Sequence, residues 1–318
     1  MMSNQVIYLV FTGVIIVALI FDLGLLSKKN AVVTTKMALL QTAFWVSLSF
    51  AFFAFIWYEH GKVDAIKYIS AYLLEWSLSI DNIFVFIIIF SFFKVKPVNY
   101  SRVLLLGILM AIFFRIIFIA LGSELVARFD WIMLIFGAFL IFTGFKMFSS
   151  KDDAEFDPEH SFAFRMMKKY LRTTNQDPHN KFLIKIDGKT FLTKLSMVVI
   201  MLGLIDIVFA IDSIPAVFSI IPDPEDKLLI YSSNIFAVLG LRSLFFLLRG
   251  AAEKFKYLQQ GIAFVLLFIG AKMLLSNVIP HVPVYVSLIA IVVCIGGSIL
   301  YSIYKQRNVD EPSIKHDQ

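Results

Sequence analysis

The sequence predicts an all-α polytopic membrane protein of about nine transmembrane helices, containing an inverted repeat of three helices per copy. Three observations lead there. Of 318 residues, 59% are hydrophobic and the mean hydropathy is +0.82, more apolar than a soluble domain of ordinary composition. Charge-poor runs near 20 residues recur along the whole length, enough to cross a hydrocarbon core of about 30 Å. Inside those runs, acidic and basic motifs occur twice, in the same order.

Apolar patterning places helices at roughly 6–26, 38–58, 67–91, 101–122, 130–148, 194–220, 230–248, 257–276 and 283–304. The first run has no Lys or Arg ahead of it and no small-residue cleavage site, so it reads as a retained span. Twenty-two of the 29 Lys and Arg fall in connections on one side of this arrangement, and only Lys62, Lys67, Arg128 and Lys227 on the other. The positive-inside rule then sets the N-terminus outside and the C-terminus in the cytoplasm of an inner (plasma) membrane. The expected organisation is two flanking helices in 1–60, a first repeat in 67–148, a basic cytoplasmic loop in 149–193, a second repeat in 194–276, a last helix in 283–304 and a cytoplasmic tail in 305–318. Within the loop, 151–158 reads as a linker. Residues 162–171 read as a basic amphipathic helix suited to the anionic inner leaflet. Residues 182–193 read as a β-hairpin turning at Asp187-Gly188. The loop is either a solvated connector or a dock for a cytoplasmic partner.

The repeat is legible residue by residue. Glu75 and Asp81 correspond to Asp206 and Asp212, 131 positions on. The stretch from Gly107 to Arg115 matches that from Asn234 to Arg242 at an offset of 127, and Phe142 to Met147 matches Phe268 to Met273 at 126. Three helices is an odd number, so the second copy enters the bilayer from the opposite side. That arrangement is a transporter feature, with substrate held near the midplane.

The acidic stretches carry the functional signal, because a carboxylate at the centre of a bilayer costs about 2.5–3.5 kcal/mol on insertion scales. In a straight helix Glu75, Ser79 and Asn82 share one face, while Asp81 is turned about 100° from Asn82. A broken or widened helix would gather all four. In the second copy Pro215 cannot donate to the Ile211 carbonyl, which would free an oxygen beside Asp212. Phe84 occupies the corresponding place in the first copy. Arg115 and Arg242 are expected to face the bundle interior as charge partners of the carboxylates. Asp22, Ser79 and Asn234 are candidates for a gate or for ligand support, and Asp22 reads equally as a snorkelling helix-end residue. Lys146 and Lys272 read as snorkelling lysines, and the phenylalanines as packing residues.

The ligand chemistry is all oxygen. Such sites suit Mn, Ca and Mg, whereas Zn and Cu prefer imidazole and thiolate. None of the five histidines lies near the acidic stretches, and the single cysteine, Cys294, excludes both an intramolecular disulfide and a cysteine cluster. A divalent cation or one or two protons would each offset the negative charge. No permanent cofactor is implied. No basic stripe with interleaved aromatics suggests nucleic acid. No nucleophile is paired with a base, so an enzyme is not expected. No phosphate-binding loop appears, so ATP is not the chain's own energy source.

The stretches Leu74–Phe84, Asp206–Phe218, Ser233–Leu244 and Phe21–Leu25 resemble the TerC family of integral membrane proteins, over about residues 10–304. The resemblance implies export of Mn²⁺, or a related divalent ion such as Ca²⁺ or Mg²⁺. It also implies metal binding at Glu75, Asp81, Asp206 and Asp212, with Asn82 and Ser213 alongside. The tellurium-resistance label of some members names a phenotype. Two function classes remain open at this point: a secondary transporter driven by ion antiport, and a membrane scaffold or sensor of an envelope or metal-stress complex.

Overall fold

A computed structural model describes residues 4–22, 33–129, 131–149, 162–174, 181–186, 188–249, 257–275 and 283–309. The linker expected at 151–158, Asp187 of the expected turn and the tail beyond 309 lie outside the described residues. So do the side chains of Asp81, Phe84 and Asp212.

Among the described residues the elements run α1 (Asn4–Phe21), α2 (Thr35–His60), α3 (Lys62–Phe92), α4 (Pro97–Arg128), α5 (Ile132–Ser149), α6 (Phe162–Tyr170), β1 (Leu183–Ile186), β2 (Lys189–Leu192), α7 (Lys194–Ile220), α8 (Lys227–Leu248), α9 (Leu258–Leu274) and α10 (Val284–Val309). Local chemistry accounts for the breaks. Thr34 caps α2 by accepting from the Met37 amide at 3.3 Å. Gly61 separates α2 from α3 with φ 90°, a conformation that favours glycine. Pro97 opens α4 at its first position, where a missing N–H costs nothing.

Six helices are long and apolar enough to cross a membrane: α2, α3, α4, α8, the Lys194–Ile211 part of α7 and the Tyr285–Lys305 part of α10. α1, α5 and α9 are apolar but shorter. At 18 and 17 residues, α5 and α9 extend about 26–27 Å along their axes, slightly under the hydrocarbon thickness.

The expected break at Pro215 is absent. α7 stays helical from Lys194 to Ile220 with Pro215 inside it, and α3 is helical through the whole Glu75–Asn82 stretch. Neighbouring helices hold α7 straight enough that the proline removes one backbone hydrogen bond without unwinding the turn.

The most extensive helix contacts pair α5 with α9, α3 with α8 and α4 with α7. α5 and α9 meet through small residues. A Cβ on Gly137 would come within 3.1 Å of the Gly270 carbonyl, and one on Gly144 within 3.1 Å of the Ala263 carbonyl. Such backbone-to-backbone approach is how apolar helices gain packing without a hydrophobic driving force.

The loop between the two copies is docked in its described part. The apolar face of α6 buries Phe164 and Met167. Phe164 packs on Phe92 and Phe93 at the end of α3, with ring centroids 6.0 and 6.2 Å apart. That face is therefore spent on the bundle and not on the leaflet surface. β1 and β2 pair antiparallel, Leu183 opposite Leu192 and Ile186 opposite Lys189. The hairpin is tied to the start of α7. Thr193 donates its amide to the Phe182 carbonyl at 3.0 Å and its hydroxyl to the Lys181 carbonyl at 2.7 Å, and Ser196 also donates to Phe182. Arg102 of α4 lies over the Phe182 ring, 5.6 Å from its centre. The described part of the loop thus touches α3, α4 and α7.

Candidate functional site

Glu75 sits midway along α3, Arg115 midway along α4 and Asp206 midway along α7. All three are buried, at 0%, 2% and 1% exposure. Arg115 joins the other two. Its Nε donates to Asp206 Oδ2 at 2.8 Å and its NH2 to Asp206 Oδ1 at 3.1 Å, a bidentate fork. Its NH1 donates to Glu75 Oε1, to Asn234 Oδ1 at 3.2 Å and to Ser213 Oγ at 3.5 Å. The Asn234 amide nitrogen donates to the Ile230 carbonyl at 3.0 Å, one helical turn back, which aims its oxygen at the arginine. Four helices, α3, α4, α7 and α8, therefore converge on one guanidinium.

The face expected on α3 is observed: Glu75, Ser79 and Asn82 are all buried. Two of their oxygens have no hydrogen-bond partner among the described residues, Glu75 Oε2 and the Ser79 hydroxyl one turn along. Unpartnered polar atoms in a fully buried position are costly and point to a ligand or an ordered water. The described charges, two carboxylates and one guanidinium, leave one net negative charge. Asp81 and Asp212 stand in helical backbone of α3 and α7. Among the described residues no group of three or more His, Cys, Asp or Glu side chains is arranged to hold a metal ion. What joins Glu75 to Asp206 here is the arginine.

The second arginine has different described partners. Arg242 of α8 donates to Asp22 Oδ2 at 2.7 Å and to the Ser101 hydroxyl at 2.7 Å. Gln41 of α2 donates to the other Asp22 oxygen at 2.9 Å. Asp22, Gln41 and Arg242 are all buried. Arg115 thus meets Glu75 and Asp206, and Arg242 meets Asp22; the side chains of Asp81 and Asp212, the other carboxylates expected to partner the two arginines, lie outside the described residues. Asp22 is an interior partner, not a snorkelling one. Sequence reasoning missed Gln41 and Ser101 as partners; a lone Gln in an apolar helix was the available signal. Lys272 also differs from the snorkelling expectation. It is half-buried and donates to Ser287 Oγ at 3.0 Å and to the Ser219 carbonyl at 3.4 Å.

Comparison with known proteins follows the same lines. A family model described as the integral membrane protein TerC family matches residues 60–310. A protein of Myxococcus xanthus, named only as an uncharacterized membrane protein, is 42% identical over 299 residues, covering 94% of this chain and 92% of its own. An uncharacterized membrane protein of Rickettsia felis is 38% identical over 303 residues, covering 95% and 99%. Alx of Escherichia coli K12, provisionally named a membrane-bound redox modulator, is 40% identical over 287 residues, covering 87% and 88%. No solved structure matches the chain.

Proposed function

The chain belongs to the TerC family of integral membrane proteins, and from that premise we propose that it is a secondary transporter exporting a divalent cation, Mn²⁺ first among candidates, from the cytoplasm by ion-coupled antiport. The observation that carries the reading is the buried group of Glu75, Arg115 and Asp206, with the Glu75 Oε2 and Ser79 oxygens left unpartnered among described residues. Hard oxygen donors suit Mn²⁺, Ca²⁺ and Mg²⁺. Asp81 and Asp212, with Asn82 and Ser213, complete the proposed ligand set.

The proposal includes nine crossings, N-terminus outside, in an inner membrane, with two inverted repeats. Packing supports the repeat. Exchanging the copies turns the α3–α8 contact into the α4–α7 contact and maps α5–α9 onto itself. At the offset of 126, Gly137 corresponds to Ala263 and Gly144 to Gly270. The two close approaches, Gly137 to Gly270 and Gly144 to Ala263, are therefore images of each other. A two-fold axis in the membrane plane would produce that pairing.

The decisive experiment is flux of Mn²⁺, Ca²⁺ and Mg²⁺ through purified protein in liposomes, with and without a pH gradient. Mn²⁺ efflux in the wild type and none in a well-folded Glu75→Gln variant supports the reading. Absence of flux for all three ions under both conditions sinks it. The second reading is a membrane scaffold or sensor with a structural acidic group. It has one observation in its favour, since Arg115 already satisfies both oxygens of Asp206. It requires the wild type to carry none of the three ions while Glu75→Gln lowers only stability. Redox modulation through the chain's own thiols is disfavoured, because the sequence holds one cysteine and a cycling dithiol needs two.

A further inference from the structure

We propose that Arg115 is a tethered counter-ion that holds the place between Glu75 and Asp206 which the divalent cation takes, so that cation loading expels the guanidinium and unloading draws it back. The inference rests on the transporter reading above.

Mutual exclusion comes first. Both Asp206 oxygens and Glu75 Oε1 are engaged by the guanidinium. A metal bound to the same oxygens at about 2.1–2.5 Å would meet nitrogen atoms in its own coordination shell. Two cations that close, in a medium with little water, repel strongly. Arginine and metal are therefore alternatives.

The displaced arginine has a neutral acceptor waiting in Asn234. NH1 already touches Asn234 Oδ1 at 3.2 Å and Ser213 Oγ at 3.5 Å. Both residues are buried, at 1% and 2% exposure, and the Asn234 oxygen is fixed in place by the bond to Ile230. A short side-chain swing onto the Asn234 oxygen keeps that hydrogen bond while both carboxylates and the Ser213 hydroxyl come free for the cation.

The arrangement also addresses the return of an unloaded carrier. Two uncompensated carboxylates in the bundle interior would be expensive to carry through a conformational change. With the arginine inserted, the empty protein completes the cycle without a second metal ion. Without it, the empty form is penalised and the carrier stalls loaded.

The test uses purified full-length protein and MnCl₂ alone. Arg115→Gln removes the internal competitor, and its Mn²⁺ affinity by calorimetric titration should rise about tenfold or more. In liposomes that variant should lose net Mn²⁺ efflux but keep Mn²⁺-for-Mn²⁺ exchange, which never passes through the empty form. Arg115→Lys keeps the charge but not the fork, so it should bind Mn²⁺ more tightly than wild type by a smaller factor. It provides the answer should Arg115→Gln fail to elute as a single species. Unchanged or weaker binding in whichever of these variants remains folded overturns the inference, as does parallel loss of exchange and net efflux. Wild-type protein that neither binds nor carries Mn²⁺ overturns the transporter reading itself, a distinct outcome.

Discussion

Adding one methyl group at Gly270 tests how the two halves of the bundle are joined. A Cβ there would stand 2.7 Å from the Gly137 carbonyl oxygen, 2.8 Å from Ile141 Cγ1 and 3.0 Å from the Ile141 amide nitrogen. Two of those three atoms are backbone, so relief requires α5 and α9 to move apart as bodies. Restoring ordinary contact takes a separation of roughly 0.5–1 Å, which forfeits a quarter to a half of the dispersion well along the seam. Overpacking of this kind costs about 1–3 kcal/mol. With rigid neighbours the upper part of that range applies, and the better helix propensity of Ala returns about 1 kcal/mol. Gly270→Ala should therefore lose about 1–2 kcal/mol. Gly296 provides the control, since a Cβ there meets nothing within 4 Å. Gly296→Ala should be neutral or stabilising by up to about 1 kcal/mol. Thermal unfolding of both variants in the same detergent, followed by fluorescence-detected size exclusion, reads the difference. If Gly270→Ala melts at or above Gly296→Ala, the close seam is not what holds α5 to α9.

Four further outcomes are expected. Asp206→Ala should destabilise the protein by about 3–5 kcal/mol in detergent unfolding, because it strands two donors of a buried guanidinium; Asp206→Asn, which keeps one acceptor, should cost less. Asp22→Asn and Arg242→Gln should be non-additive, with a coupling of about 1–3 kcal/mol in a double-mutant cycle; simple additivity would mean that their contact contributes nothing. Mn²⁺ binding should weaken as pH falls, because protons and metal compete for the same carboxylate oxygens; titration at several pH values checks the sign, and tighter binding in acid would contradict carboxylate ligation. A reporter fused after Gln318 should behave as cytoplasmic; periplasmic behaviour would overturn the nine-crossing arrangement.

Much of the helical layout was legible because each apolar run ends in a marker. Gly61, Pro97 and the charged connections lie where the structure places breaks. The Glu75, Ser79 and Asn82 face followed from helical periodicity alone. The role of Arg115 was half legible. Cost arguments place an arginine inside the bundle, but nothing local says which carboxylates it meets. Glu75 and Asp206 lie 40 and 91 positions away. The Arg242–Asp22 pair spans 220 positions, and its helpers Gln41 and Ser101 leave almost no trace in an apolar pattern. Pro215 misled for a specific reason. A proline removes one hydrogen bond, and whether the helix then unwinds depends on the neighbours packed around it. The loop misled because an apolar stripe on a short basic helix looks the same whether it will meet lipid or Phe92 and Phe93.

Thr193 directly follows the last residue of β2 and stands at the cap position of α7. With its amide on Phe182 and its hydroxyl on Lys181, the hairpin is bolted to the root of that helix. From Lys194 to Asp206 the helix rises about 18 Å. A rotation of α7 that re-aims Asp206 would act on the hairpin through these bonds, against the hold of Arg102 on Phe182. Lys185 and Lys189 of that strand pair are exposed, so a fluorescent label at either position would read movement at the root of the helix that carries Asp206.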